Sequence, residues 1–219
     1  MGLRKDHFME HRQQAGEDQS PARKQIIIAS NNAGKIREFK ELLSPYGFDV
    51  ISMREAGFTG EIVEDGDTFE ENAHIKARAV FEATGIPTMA DDSGLEIDFL
   101  DGAPGVYSAR YAGEGADDKA RCKKVLDEMH GVAKELRDAR FVCSIYFIYA
   151  EDDEYSVRGE VSGYIGDKPK GRNGFGYDPI FMVNDDESMA ELSDKEKNRI
   201  SHRAEAFRKL SEILKEKFS

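Results

Sequence analysis

Four polar, glycine-bearing segments interrupt apolar runs of this chain, and each carries side chains suited to a charged small molecule. The first, Ser30-Asn31-Asn32-Ala33-Gly34-Lys35, follows the apolar run Ile26-Ile27-Ile28-Ala29. A buried strand, a small polar loop and a helix starting at the loop's end direct backbone N–H groups and a helix dipole at one point, where a phosphate can sit. It is not a Walker A loop, because the first glycine would fall at Ala29 and Ile36 replaces the hydroxyl residue after the lysine. Strand-to-helix turns with Asn and Gly are also common where no phosphate binds, so both readings stand. The second segment is Asp91-Asp92-Ser93-Gly94, behind the apolar Thr88-Met89-Ala90. Two adjacent carboxylates are costly near a core unless a cation or hydrogen bonds compensate them. Mg²⁺ suits such a pair, since it takes one or two carboxylates plus phosphate oxygens and water. An ordinary acidic turn is the alternative.

The third segment is Gly171-Arg172-Asn173-Gly174-Phe175-Gly176-Tyr177-Asp178, whose glycines flank two aromatics. An exposed ring face there can stack on a base, an interaction of about 1–3 kcal/mol; equally, the rings can cover the core beneath a glycine-rich loop. The fourth runs from Lys197 to Ser201-His202-Arg203. Charges on a C-terminal helix are most simply a solvated face.

The elements that must carry these segments are legible in outline. Ile36, Phe39, Leu42 and Leu43 recur at helical spacing, closed by Pro45 and Gly47, and Phe48 to Ser52 reads as a second strand. Residues 57–67 form a loop, and a helix from about Thr68 to Ala83 puts Phe69, Ala73, Ala77 and Val80 on one face. Thr88 to Ala90 reads as a short buried strand that leads into the acidic segment, with Leu95, Ile97 and Phe99 alternating behind it. Asp117 is placed to cap a helix carrying Cys122, Val125, Leu126 and Met129. Phe141 to Tyr149 is the clearest strand and pairs as a hairpin with Tyr155 to Tyr164 across Glu151-Asp152-Asp153-Glu154. Ser193-Asp194-Lys195-Glu196 is a capping-box pattern opening one C-terminal helix or two. Strands mixed with helices, with hairpins late in the chain, indicate an α/β fold on a mixed sheet.

Composition narrows the function classes. The chain has 219 residues, 39% of them hydrophobic, enough for a substantial core. A net charge of -12 argues against a broad electrostatic grip on nucleic acid polymer or anionic membrane. An acidic protein that handles an anionic nucleotide needs a local basic pocket and a metal ion. No apolar run reaches the roughly 18 residues of a membrane span. Residues 1–24 are polar and charged without an apolar stretch, which reads as a disordered extension rather than a secretory signal, leaving 25–219 as the domain. Cys122 and Cys143 lack metal-type spacing and read as two buried thiols in a reducing cytoplasm.

In this order and spacing the segments resemble the inosine/xanthosine triphosphate pyrophosphatase family, enzymes that remove non-canonical purine nucleotides. The resemblance covers Ile26 to Leu214 and rests on SNNAGK at 30–35, TFEENAHIKA at 68–77 and ADDSGLEID at 90–98. GAPGVYSARYAG at 102–113, KGRNGFGYDPIF at 170–181 and KNRISHR at 197–203 complete it. Two departures stand out: Asn31 where the family usually has glycine, and Lys170 where arginine is frequent.

The resemblance implies an elongated, curved mixed β-sheet flanked by helices, with two lobes around a central nucleotide cleft, assembled as a homodimer. It implies Mg²⁺-dependent hydrolysis of ITP, dITP or XTP to the monophosphate and pyrophosphate. Ser30, Asn31, Asn32, Ala33, Gly34 and Lys35 would form the phosphate loop, with Lys76 beside it. Asp92 would be general base and metal ligand, Glu64 the second acidic ligand with Glu71 as its alternative, and Ser93 a substrate contact. Phe175 would stack on the purine, Gly176, Tyr177 and Asp178 would shape the sugar and base pocket, and Lys197, His202 and Arg203 would line the base edge. Two rivals remain at this level: a related Maf-like pyrophosphatase acting on other bases, against which the 175–178 and 201–203 segments speak, and a catalytically silent nucleotide sensor, against which Lys35, Lys76 and Asp92 speak.

Overall fold

Ile26, Ile27 and Ile28 are all buried, as a continuous apolar run requires when a strand is covered on both faces. They form β1 (Gln25–Ile28) at the start of a computed structural model that describes residues 25–218; the extension expected over residues 1–24 lies outside the described residues. The chain continues through α1 (Ala33–Leu43), β2 (Asp49–Ser52), α2 (Phe69–Thr84), β3 (Thr88–Ile97) and α3 (Asp118–Glu128). It ends with β4 (Asp138–Ala150), β5 (Asp153–Ile165), β6 (Phe181–Met182), α4 (Asp194–Ile200) and α5 (His202–Phe218).

The six strands form one mixed sheet in the order β2-β1-β3-β4-β5-β6. Strand β1 pairs in parallel with β2 and β3, while β3, β4, β5 and β6 are successively antiparallel. Alternation along β1 sorts the core. Ile26 and Ile28 pack with Phe39 and Leu43 of α1 and Phe207 and Leu210 of α5. Ile27, with Ala29 just beyond the strand, packs with Ala77 and Val80 of α2. Helices α1 and α5 thus cover one face and α2 the other. A further apolar cluster lies around α3, where Cys122 and Val125 meet Leu95, Ile97, Phe141 and Phe181.

Two expectations change and one open alternative is decided. Strand β3 does not stop at Ala90 but runs through Asp91, Asp92, Ser93 and Gly94 to Ile97, paired along its whole length with β4, Asp92 opposite Ser144. The acidic segment is therefore mid-strand and not a turn: the ladder satisfies its backbone while cations on neighbouring helices compensate its carboxylates. Phe99 leaves the alternation for a 3-10 turn (Asp98–Leu100) and is exposed. The C-terminal segment is two helices, broken at Ser201, whose extended backbone ends α4. Both cysteines are free and buried, and burial pushes the Cys122 thiol up to about 12.

Candidate active site

Beyond β1 the chain turns through Ser30 and Asn31 into α1. Asn32 caps the helix, its Oδ1 accepting the Gly34 and Lys35 amides at 2.9 and 3.2 Å, and Ser30 Oγ accepts the Asn32 amide at 3.1 Å. Ser30, Asn31, Asn32 and Lys35 line a cleft of about 430 Å³, whereas Ala33 and Gly34 form the first turn of α1 outside its wall. Gly34 matters for a different reason: a Cβ there would lie 2.5 Å from Phe175 Cδ1, so the aromatic ring packs directly on the start of α1.

The strand period of two separates the adjacent carboxylates of β3. Asp91 and Ser93 face α5, where both contact Arg203. Asp92 faces α2, where Lys76 Nζ lies 3.3 Å from Asp92 Oδ1 and 2.6 Å from Glu64 Oε2. Burial raises the Asp92 pKa despite Lys76 and Lys35, and a buried carboxyl so poised is suited to take a proton. Lys76 is held charged: burial works against the ammonium, but Asp92, Glu64 and Asp91 outweigh it.

Glu71 is not turned toward this site. Its Oε2 accepts the Asp67 and Thr68 amides at 2.8 and 3.0 Å while Thr68 Oγ1 accepts the Glu71 amide, a capping box at the start of α2. Glu64 is the acid that faces Asp92 across Lys76. Among the described residues no group of three or more His, Cys, Asp or Glu side chains forms a ready metal cage.

The other face of β3 carries a buried ion network. Arg203 makes four hydrogen bonds: Nε and Nη2 to Asp91 Oδ2 at 3.3 and 3.0 Å, Nη2 to Ser93 Oγ at 3.0 Å, and Nη1 to Glu38. Lys35 Nζ reaches the same Asp91 oxygen at 3.1 Å. Burial opposes the Asp91 carboxylate, but Lys35, Arg203 and Lys76 hold its pKa well below the usual range. Lys197 Nζ sits between Glu38 Oε1 at 2.9 Å and Asp178 Oδ2 at 2.7 Å, and 4.5 Å from the Phe175 ring centre. Lys197, His202 and Arg203 all line the cleft. Arg203 and Lys197 are engaged with carboxylates, whereas His202 has a buried Nδ1 with no hydrogen-bond partner among the described residues. Its ring stacks on Phe141 with centroids 5.0 Å apart, and burial beside Arg203 and Lys197 keeps it neutral.

Phe175, Gly176, Tyr177 and Asp178 line the same cleft. Tyr177 is buried and its hydroxyl donates to the Ser108 carbonyl at 2.8 Å, so it shapes the wall from behind. Asp178 Oδ2 also accepts the Phe175 amide at 2.9 Å. Sequence reasoning missed Glu38, Ser108, Asp118 and Arg121. Glu38 carried a signal, an acid beside Phe39 on the inward side of α1; the other three became visible only when the chain closed on itself.

A sequence model described as the Ham1 family matches residues 26–213. The dITP/XTP pyrophosphatases of Bacillus licheniformis and Bacillus subtilis are each 56% identical to this chain over 192 residues, 87% of it, covering 98% and 97% of those proteins. The solved Staphylococcus aureus Ham1 protein superposes with a TM-score of 0.79 at 44% identity, over 89% of this chain and all of that one. With phosphate loop, acidic strand and aromatic loop assembled around one cleft, the chain belongs to the Ham1 family.

Proposed function

We propose that the protein hydrolyses non-canonical purine nucleoside triphosphates (dITP, XTP and ITP) to the nucleoside monophosphate and pyrophosphate, removing them from the nucleotide pool. The observation that carries this reading is that Lys35, Lys76, Asp92 and Glu64, suited to phosphate and metal, line one cleft together with Phe175, His202 and Asp178. The names of the relatives, dITP/XTP pyrophosphatases, point the same way.

Lys35 and Lys76 would hold the triphosphate, with amides of the Ser30 to Lys35 turn beside them. Asp92 would orient a water and take its proton as the oxygen attacks the α-phosphorus. The bond from that phosphorus to the bridging oxygen then breaks, and its electron pair leaves with pyrophosphate. Two hard carboxylates, Asp92 and Glu64, sharing one lysine without a third acid suit Mg²⁺ that arrives with the substrate's phosphates. Bound there, Mg²⁺ would neutralise phosphate charge and stabilise the departing pyrophosphate.

Base choice falls to His202. With its proton on Nδ1 it would donate to the 6-oxo group of hypoxanthine or xanthine, and the 6-amino group of adenine would face it donor to donor. Phe175 would stack on the purine. Among the described residues no helix is long and apolar enough to cross a membrane. We place the enzyme in the cytoplasm as a homodimer without nucleic acid partners; light scattering on the purified protein tests the dimer.

Pyrophosphate release from dITP, XTP, ITP, ATP and GTP, with and without Mg²⁺, tests the function. Turnover of the first three with Mg²⁺ and little of ATP is expected. Equal turnover of ATP, or none of any substrate, would overturn it.

A further inference from the structure

The two peptide units that flank the Phe175 α-carbon each end on a carboxylate. The Phe175 amide donates to Asp178 Oδ2 at 2.9 Å, and the Gly176 amide donates to Asp118 Oδ2 at 2.7 Å. Asp178 is local to the loop, but Asp118 comes from the first turn of α3, far away in sequence. Helix α3 grips the same residue again one turn on, where the Cys122 thiol donates to the Gly176 carbonyl at 3.3 Å. Gly176 has φ 63°, a left-handed conformation that glycine adopts without the cost a side chain would bring.

Asp118 is not occupied with starting its own helix. Asp117 does that, its Oδ1 accepting the Ala120 amide at 2.8 Å. The second oxygen of Asp118 meets Arg121, whose Nη1 donates to the carbonyls of Ala109 and Ala116 at 3.0 and 2.6 Å. Asp118 is thereby braced against the segment that precedes α3, and its free oxygen points at the aromatic loop. With both neighbouring peptide planes fixed, the backbone dihedrals of Phe175 are fixed, and with them the direction in which its ring leaves the chain.

We propose that Asp118 is a positioning residue for the nucleobase: from α3 it holds the Phe175–Gly176 peptide so that Phe175 presents its ring at a set height in the cleft. This rests on the reading of Phe175 as the stacking platform. Losing the tie costs base binding, not phosphate chemistry.

The test compares Asp118→Ala, Asp118→Asn and Phe175→Ala. Asp118→Ala is expected to raise KM for dITP roughly 5- to 10-fold while kcat stays within about threefold, since a charge-assisted hydrogen bond is lost away from the reacting atoms. The inhibition constant of inorganic triphosphate, which has no base, should not move. Asp118→Asn keeps an acceptor for the Gly176 amide and should restore most of the KM. Asp118→Ser, too short to reach Gly176, serves in place of an alanine variant that does not fold. The chain has no tryptophan, so Phe175→Trp supplies a single tryptophan that can be excited apart from the eight tyrosines, and adding Asp118→Ala should lower its fluorescence anisotropy. If Phe175→Ala raises KM for dITP but Asp118→Ala does not, the role of Asp118 is overturned and the stacking reading stands. If Phe175→Ala leaves KM unchanged, the stacking reading itself fails, and an unchanged anisotropy separately shows that Asp118 does not hold the side chain. Parallel losses of kcat, triphosphate binding and melting temperature would make Asp118 a packing residue and overturn the proposal.

Discussion

Lys76 Nζ lies 3.3 Å from Asp92 Oδ1, on the face of β3 opposite to the one where Arg203 holds Asp91. Adjacent carboxylates in one strand are thus divided between two environments. Asp91 is held ionised well below the usual carboxylate range inside a network of cations, and Asp92 is buried beside a lysine with its proton affinity raised. Only the second can exchange a proton at useful pH.

Asp92→Asn should therefore cut kcat on dITP by roughly 10²–10⁴, the usual range for loss of a general base, with little change in melting temperature. Steady-state kinetics with a thermal melt checks this. A variant that turns over at near wild-type rate removes Asp92 from the role of base.

The raised Asp92 pKa is open to direct measurement. In metal-free protein the carboxyl carbon of Asp92, followed by NMR against pH, should titrate above the ordinary aspartate range. Lys76→Met removes the nearest cation and leaves Glu64 facing Asp92, so the midpoint should move higher still. A midpoint that falls in Lys76→Met contradicts the electrostatic account of this pair.

His202 and Arg203 should separate cleanly. His202→Ala is expected to lower the dITP-to-ATP ratio of kcat/KM about tenfold with a modest change in stability, because a cleft-lining side chain whose Nδ1 has no partner among the described residues is lost. Arg203→Ala leaves Asp91 and Glu38 buried without their main partner and should cost about 3–5 kcal/mol of stability. Denaturant melts and two-substrate kinetics on both variants decide it; an unchanged ratio in His202→Ala takes the histidine out of base reading.

Asp91 also predicts how stability responds to acid. Its folded-state pKa is depressed, so its contribution is fully present above the unfolded-state value, about 3.9, and is lost as pH falls through the lower folded-state value. Asp91→Asn should be less stable than the parent near neutrality, and the gap should close progressively below about pH 4. Urea melts across that range measure the gap, and a constant difference would show that Asp91 contributes through packing and not through charge.

Much of the frame followed from local chemistry. The Asp117 cap, the apolar β1 run, the long β4–β5 hairpin and the Ser193 capping box each depend on residues within a few positions of one another, and each forms in the structure at its expected place. The order of six motifs likewise sufficed to mark the family. What tertiary structure alone decided concerns charges. Asp91 and Asp92 read from sequence as a carboxylate pair beyond a short strand, a metal site or an acidic turn; the strand continues through them because Lys35, Lys76 and Arg203 arrive from three helices spread along the chain. Glu64 reads from sequence as the second acidic ligand with Glu71 as its alternative, and only folding shows Glu71 in a capping box and Glu64 on Lys76. Arg203 reads from sequence as lining the base edge, and only folding shows that it also bridges Asp91, Glu38 and Ser93. In each case the role of a charged side chain depends on which opposite charge lies within about 4 Å in a low-dielectric interior, and that distance is set by chain folding, not by spacing in sequence.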